Sequence, residues 1–155
     1  MATPVTILVG TTTGNAQYCA EEAQFRLNGA GIPATIRQMD GLDASAFAAA
    51  AGVYLLIVST YGQGDVPDNA RALYESLIRD KPLLSHVHYG IVALGDSSHA
   101  QTFCFGGRRF DAQMKKLGAT RLGEVLNHDA SSGIMPEEAT ASWLNDWIER
   151  LHAVA

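Results

Sequence analysis

Val5-Thr6-Ile7-Leu8-Val9-Gly10-Thr11-Thr12-Thr13-Gly14-Asn15-Ala16-Gln17 decides the fold. Its first residues form a short apolar, β-branched run, as expected of a strand buried on both faces of a parallel sheet. Three hydroxyls and a glycine follow, and then Ala16, Cys19, Ala20, Ala23 and Leu27 recur at helical spacing. Strand, polar turn and amphipathic helix repeat down the chain. Further strands are expected at residues 34–38, 53–59, 89–94 and 121–126.

Between these runs, Ala70, Leu73, Tyr74, Leu77 and Ile78 form a second helical stripe, and Phe110, Met114 and Leu117 mark a third. Trp143, Leu144, Trp147, Ile148 and Leu151 mark the last helix, with Pro136 at its first turn and Glu137 and Glu138 at the positive dipole end. A short helix is expected over 45–51. The five prolines sit at element edges, where their missing N–H does no harm. The reading is α/β, a (βα)5 doubly wound sheet, whose ligands bind beyond the carboxyl ends of the strands. The loops after strands 1, 3 and 4 are therefore the candidate site.

Composition narrows the function. The 155 residues are 47% apolar and 17% charged, which supports one domain over 1–155 with a real core and excludes disorder. A net charge of −5 gives no electrostatic drive toward nucleic acid. Two cysteines, Cys19 and Cys104, make no disulfide scaffold, and no charged n-region precedes an apolar run, so a cytoplasmic location is expected. Residues 44–64 carry no charge, but Gly52 interrupts an apolar part too short for a membrane span.

The first loop, Thr11, Thr12, Thr13, Gly14, Asn15 and Ala16, offers hydroxyls and backbone N–H groups at a helix start, a phosphate-type anion site. It has neither the lysine of a nucleotide-hydrolysing loop nor the G-x-G-x-x-G of dinucleotide binders. A Thr-rich helix cap without ligand is the competing reading. The loop after strand 3, Ser59-Thr60-Tyr61-Gly62-Gln63-Gly64-Asp65, puts an aromatic ring beside a glycine whose peptide can flip. After strand 4, Leu94-Gly95-Asp96-Ser97-Ser98-His99-Ala100-Gln101-Thr102-Phe103-Cys104 adds imidazole and aromatic rings at the same edge. Three such loops converging suit a planar ring system with a phosphate tail.

Taken together, "STYGQGDVPDNA", "LGDSSHAQTFC" and "MPEEATASWLNDW" resemble the flavodoxin family over nearly the whole chain, from Val5 to Leu151. The similarity is greatest to its short-chain, MioC-type members and to the FMN domains of diflavin reductases. The resemblance implies a three-layer, five-stranded parallel sheet of order 2-1-3-4-5, non-covalent FMN and one-electron transfer. It assigns Thr11, Thr12, Thr13, Gly14, Asn15 and Ala16 to the 5′-phosphate. Ser59, Thr60, Tyr61, Gly62, Gln63 and Gly64 fall along the isoalloxazine, with Tyr61 stacked on one face. In the family the carbonyl matching Gly62 turns toward flavin N5–H and stabilises the neutral semiquinone. Leu94, Gly95 and Asp96 fall near the pyrimidine edge and ribityl chain, Cys104 near the cofactor, and Asp129 at an acidic position near the ring. His99 stands where relatives place a second-face tyrosine, with Phe103 as the alternative ring.

Charge supplies an argument independent of the family. Segments 11–17, 39–45, 60–70, 95–105 and 128–138 hold Asp40, Asp43, Asp65, Asp68, Asp96, Asp129, Glu137 and Glu138, and no lysine or arginine. That is 8 of the 16 acids and none of the 11 bases, leaving −8 here and +3 elsewhere. Acids favour helix N-termini in any case, but the missing bases point to a docking face for a basic partner. The expected role is a monomeric electron carrier, without substrate turnover of its own, between an NAD(P)H-dependent flavin reductase and a haem or metalloenzyme acceptor.

An NAD(P)H:quinone oxidoreductase on the same fold is the alternative, yet no extra segment builds its substrate site. A phosphoacceptor receiver domain fails, because Thr11, Thr12 and Ser59 stand where it needs acids. A cofactor-free interaction module would be colourless. Cys19 reads as packing, Trp143 and Trp147 as core, and His86 and His88 lack a third metal ligand.

Overall fold

A computed structural model describes residues 3–11, 14–48, 52–60, 66–98 and 104–154. Its elements run β1 (Val5–Gly10), α1 (Asn15–Gly29), β2 (Ala34–Gln38), β3 (Val53–Ser59), α2 (Asp68–Asp80), β4 (His88–Gly95), α3 (Phe105–Lys116), β5 (Thr120–Arg121), β6 (Leu126–Asp129) and α4 (Pro136–Val154). Single 3-10 turns follow β2, at Ala44–Phe47, and β6, at Ala130–Ser132. All strand pairs are parallel, in the order 2-1-3-4-5, with β6 continuing the fifth strand alongside β4.

Because strand side chains alternate between faces, the sheet builds two cores. Leu8, Leu56, Val58, Ile91 and Ala93 face α2 and α3, where they meet Leu73, Phe110 and Met114. Ile7, Val9, Leu55, Ile57 and Val92 face α1 and α4, against Ala20, Leu27, Leu144 and Trp147. Full burial of each such Leu or Ile contributes roughly 1.5–3 kcal/mol. The two layers explain why these runs are continuously apolar.

The fifth strand differs from expectation. A single run over 121–126 does not form. Thr120 and Arg121 pair with His88 and Tyr89, and pairing resumes only where Leu126 meets Val92. The register slips by two residues between them. Gly123 takes a φ of +73° at the break, Arg121 Nε donates to its carbonyl at 2.8 Å, and Trp143 Nε1 donates to Glu124 O at 3.0 Å. Side chains thus take up the ladder bonds the slip removes.

Two helical expectations also shift. The short helix over 45–51 is a 3-10 turn at Ala44–Phe47, started by Asp43, whose carboxylate accepts the Ser45 N–H at 2.9 Å; residues 49–51 lie outside the described residues. On α2, Ile78 is 44% exposed and Ser76 takes the buried place. The Ser76 hydroxyl accepts the Ala44 N–H at 2.9 Å and donates to Asp80 at 3.0 Å, so a polar group satisfies that layer. Among the described residues, no helix is long and apolar enough to cross a membrane.

Candidate functional site

The start of α1 and the carboxyl ends of β3, β4 and β6 open onto one cleft of about 760 Å³. Its walls include Asn15, Ser59, Thr60, Leu94, Gly95 and Asp96, six of the residues expected from sequence. Thr12, Thr13, Tyr61, Gly62, Gln63, Gly64, Asp65, His99 and Phe103 lie outside the described residues.

The turn leading into the cleft is held tightly. Thr11 N–H donates to Asn69 Oδ1 at 2.8 Å, tying the first loop to α2. Thr11 Oγ1 accepts from Gly14 N–H at 3.0 Å and from Ser59 Oγ at 3.1 Å. With both lone pairs engaged, the hydroxyl keeps its hydrogen for donation. Gly14, at φ +92°, turns the chain into α1 in a conformation that side chains resist. Helix α1 has no acid in its first turn and no side-chain cap at Gly14. By contrast α2 begins with Asp68, and α4 with Glu137 and Glu138. An uncapped, uncompensated helix start beside the cleft fits a phosphate. Ala16 is buried, so only its backbone can serve there.

The β3 and β4 ends are packed by glycines. A Cβ on Gly106 would stand 2.2 Å from Ser59 O, and one on Gly95 would stand 2.5 Å from Cys104 N. Gly106 N–H also donates to Thr60 Oγ1 at 3.0 Å, so α3 begins pressed against the residues that wall the cleft. Cys104 caps α3 at φ +58° and is fully buried; its Sγ lies 3.4 Å from Ala93 O and 3.5 Å from His128 O. Burial pushes this thiol up to about 12, so it stays protonated at neutral pH.

Asp129 is stitched into the loops. Its Oδ1 accepts Ser97 N–H at 2.9 Å, Ser131 N–H at 2.9 Å and Ser131 Oγ at 2.8 Å. Ser97 and Ser131 also share a hydroxyl contact at 2.8 Å. These bonds, led by those from Ser97, hold the carboxyl well below the usual carboxylate range. The carboxylate binds the loop after β4 to the loop after β6.

The loop after β6, counted from sequence only for its flanking acids, also walls the cleft. Ala130, Gly133, Ile134, Met135, Pro136 and Glu137 wall the cleft together with Tyr18 and His128. His128 is buried, and its Nε2 lies 2.7 Å from Ile134 O, which makes it the donor that secures the loop. The rule placing ligands beyond strand ends applies to the fifth strand as well.

The acids at this edge are partly occupied. Asp43 and Asp129 start 3-10 turns, Asp68 meets Arg71 at 3.5 Å, and Asp96 accepts Ser98 N–H at 2.9 Å. Arg108 and Arg109 stand in the first five residues of α3, and Arg108 Nε donates to Asn127 at 3.3 Å. Bases therefore reach the edge on the α3 side, just beyond the segments counted from sequence. Among the described residues, no three His, Cys, Asp or Glu side chains group as a metal site.

A parallel sheet of this order, with an anion-ready helix start and a cleft walled by successive strand ends, defines a flavin-type binding fold. The flavodoxin family model matches residues 7–143. Protein MioC of Escherichia coli O157:H7 is 35% identical over 150 residues, covering 95% of this chain and 97% of that protein. The sulfite reductase [NADPH] flavoprotein alpha-component of Bacillus subtilis is 34% identical over 149 residues, 96% of this chain but 24% of that protein. A flavodoxin from Pseudomonas aeruginosa, solved as a cysteine-to-alanine mutant, superposes with a TM-score of 0.85 at 33% identity, over 96% of this chain and 99% of that one. The chain belongs to the flavodoxin family, the FMN-binding electron-transfer proteins.

Proposed function

We propose that this flavodoxin is a one-electron shuttle, fed by an NAD(P)H-dependent flavin reductase and discharging to a haem or metalloenzyme in the cytoplasm. The observation that carries this reading is the cleft itself, set where the uncapped start of α1 meets the ends of β3, β4 and β6. FMN, when bound, supplies a group that takes up and releases electrons one at a time.

The chain's own residues bind and orient it. Thr11, Thr12, Thr13, Gly14, Asn15 and Ala16 hold the phosphate through neutral donors and the dipole of α1. Ser59, Thr60, Tyr61, Gly62, Gln63 and Gly64 line one side of the ring, and Leu94, Gly95 and Asp96 its polar edge. Either His99 or Phe103 covers the other face. Asp129 keeps the loops after β4 and β6 together, and Cys104 packs behind them. The whole chain, 1–155, acts as one FMN-binding domain and works as a monomer. Asp40, Asp43, Asp65, Asp68, Asp96, Asp129, Glu137 and Glu138 make the docking edge for basic partners, steering their approach at low salt. They also oppose added negative charge on the bound cofactor. The quinone oxidoreductase alternative is not favoured, since the solved structure matched over 99% of its own length is a flavodoxin.

Anaerobic reductive titration of the FMN-loaded protein, followed by visible absorption, tests this. Two separable one-electron steps with no steady NAD(P)H oxidation are expected. A single two-electron step accompanied by quinone-dependent NAD(P)H oxidation would overturn the carrier role.

A further inference from the structure

The outer face of α1 carries an exposed apolar surface that extends beyond the cofactor cleft to Phe25. Tyr18 is 61% and Phe25 75% exposed, and beside them Ile134 and Met135 are 54% and 56% exposed. Tyr18, Glu21, Glu22 and Phe25 fall at helical spacings that make a single stripe. With Met135 and Glu137 they line a shallow groove of about 500 Å³. Tyr18, Met135 and Glu137 also wall the cofactor cleft, so the groove runs directly into it.

The charge of the groove has one sign. Glu21, Glu22 and Glu137 line it without a lysine or arginine. Arg26, one turn further along α1, is paired with Glu22 at 3.0 Å. On the opposite flank of the sheet edge, Arg108 and Arg109 stand in the first five residues of α3. With Arg26 set against Glu22, Glu21 and Glu137 still leave the α1 side with a net charge of −2. Clustered aromatics with a methionine are the residue types enriched at protein interfaces.

We propose that this groove seats a redox partner protein that presents an apolar contact ringed by lysine or arginine. The proposal deepens the carrier reading and rests on it. A second copy of this chain is the poorer occupant, because two-fold pairing would set Glu21, Glu22 and Glu137 against the same carboxylates. An anionic bilayer would be repelled for the same reason. A partner in the groove touches Met135 and Tyr18, which themselves wall the cleft, so docking there brings it against the cofactor's surroundings.

Cytochrome c, a basic protein whose haem edge is ringed by lysines, is the probe. The FMN-loaded protein is reduced anaerobically and mixed with ferricytochrome c by stopped flow. Glu21→Gln with Glu22→Gln should lower the second-order rate constant about tenfold at low salt and flatten its salt dependence. Phe25→Ser should lower it about threefold while leaving the salt dependence intact. Glu21, Glu22 and Phe25 do not wall the cofactor cleft, so FMN retention, read from visible absorption, should be unchanged. Glu75→Gln with Glu149→Gln removes the same charge on α2 and on the later turns of α4, and should stay within about twofold of wild type. Rates in the α1 variants no lower than in this control would overturn the docking site. So would sedimentation showing that the wild-type protein pairs with itself through Phe25. A wild-type chain that retains no FMN would instead overturn the carrier reading, and the docking site with it.

Discussion

Replacing Gly106 by alanine sets two forces of opposite sign against each other. Alanine favours helix over glycine by up to about 1 kcal/mol, and Gly106 lies in the first turn of α3. Helix propensity alone therefore predicts a more stable protein. The packing predicts the reverse. The new methyl would stand 2.2 Å from Ser59 O, 3.1 Å from Ser59 C and 3.2 Å from Thr60 Cα, all of them backbone. To reach even 3.0 Å, α3 or the end of β3 must retreat by about 0.8 Å. That retreat also stretches the bond from Gly106 N–H to Thr60 Oγ1, now 3.0 Å. Overpacking costs about 1–3 kcal/mol and the lost bond about 1 kcal/mol. The net expectation for Gly106→Ala is a loss of about 1–3 kcal/mol in urea unfolding of the apoprotein. Ser59 and Thr60 wall the cleft, so FMN affinity should fall about tenfold in a fluorescence titration. A variant as stable as wild type or more so, with unchanged FMN affinity, would refute the close approach of α3 to β3.

Asp129→Asn should lower the urea midpoint at pH 7, because the carboxylate gathers bonds from Ser97 and Ser131. Its folded pKa is depressed, so the contribution is complete above the unfolded value of about 3.9 and fades as pH falls below it. The gap between variant and wild type should close in that acid range; a gap constant with pH would refute the role. Tyr89 is fully buried, and its hydroxyl donates to Asp111 Oδ1 at 2.6 Å while Arg121 holds Oδ2 at 2.6 Å. Burial, followed by that bond, pushes the phenol far up, and Tyr89→Phe should cost about 1–3 kcal/mol in urea unfolding. Burial pushes the Cys19 thiol up to about 11 and the Cys104 thiol up to about 12. Neither should react with an aromatic disulfide reagent at pH 8 until the protein is unfolded.

The legible parts of this fold are those where one physical rule acts alone. Strands β2 and β3 keep the bounds expected from sequence, β1 runs one residue past its apolar run at 5–9, and β4 is one residue longer at each end. Buried on both faces, the central strands have no competing demand on their sequence. The fifth strand was not legible, because Arg121 to Leu126 has strand-like content but contains Gly123, whose left-handed backbone ends the ladder. Ile78 misled for a related reason. Its apolar character suits the buried stripe, yet the bond from Ala44 N–H awards that place to Ser76. At the site, the loops after strands 1, 3 and 4 could be found from the edge rule. The loop at 130–135 was placed at that edge within segment 128–138, but only the acids flanking it were singled out, because its own residues carry no charge. Tyr18 and Phe25 escaped notice because, on a helix, the stripe facing away from the core leaves no mark on core periodicity.

The two-residue slip between β5 and β6 also makes that point a place of entry into the molecule. Each flanking piece has its own stretch of β4 to pair with, so the sheet does not depend on how the chain travels between them. Extra sequence placed between Gly123 and Leu126 would forfeit two side-chain bonds, from Arg121 to Gly123 O and from Trp143 to Glu124 O. Beyond that loss, each doubling of the inserted length adds only about 0.6 kcal/mol of closure entropy. A peptide or small domain grafted there would ride on the outer strand of the sheet, with both halves of that strand still in register.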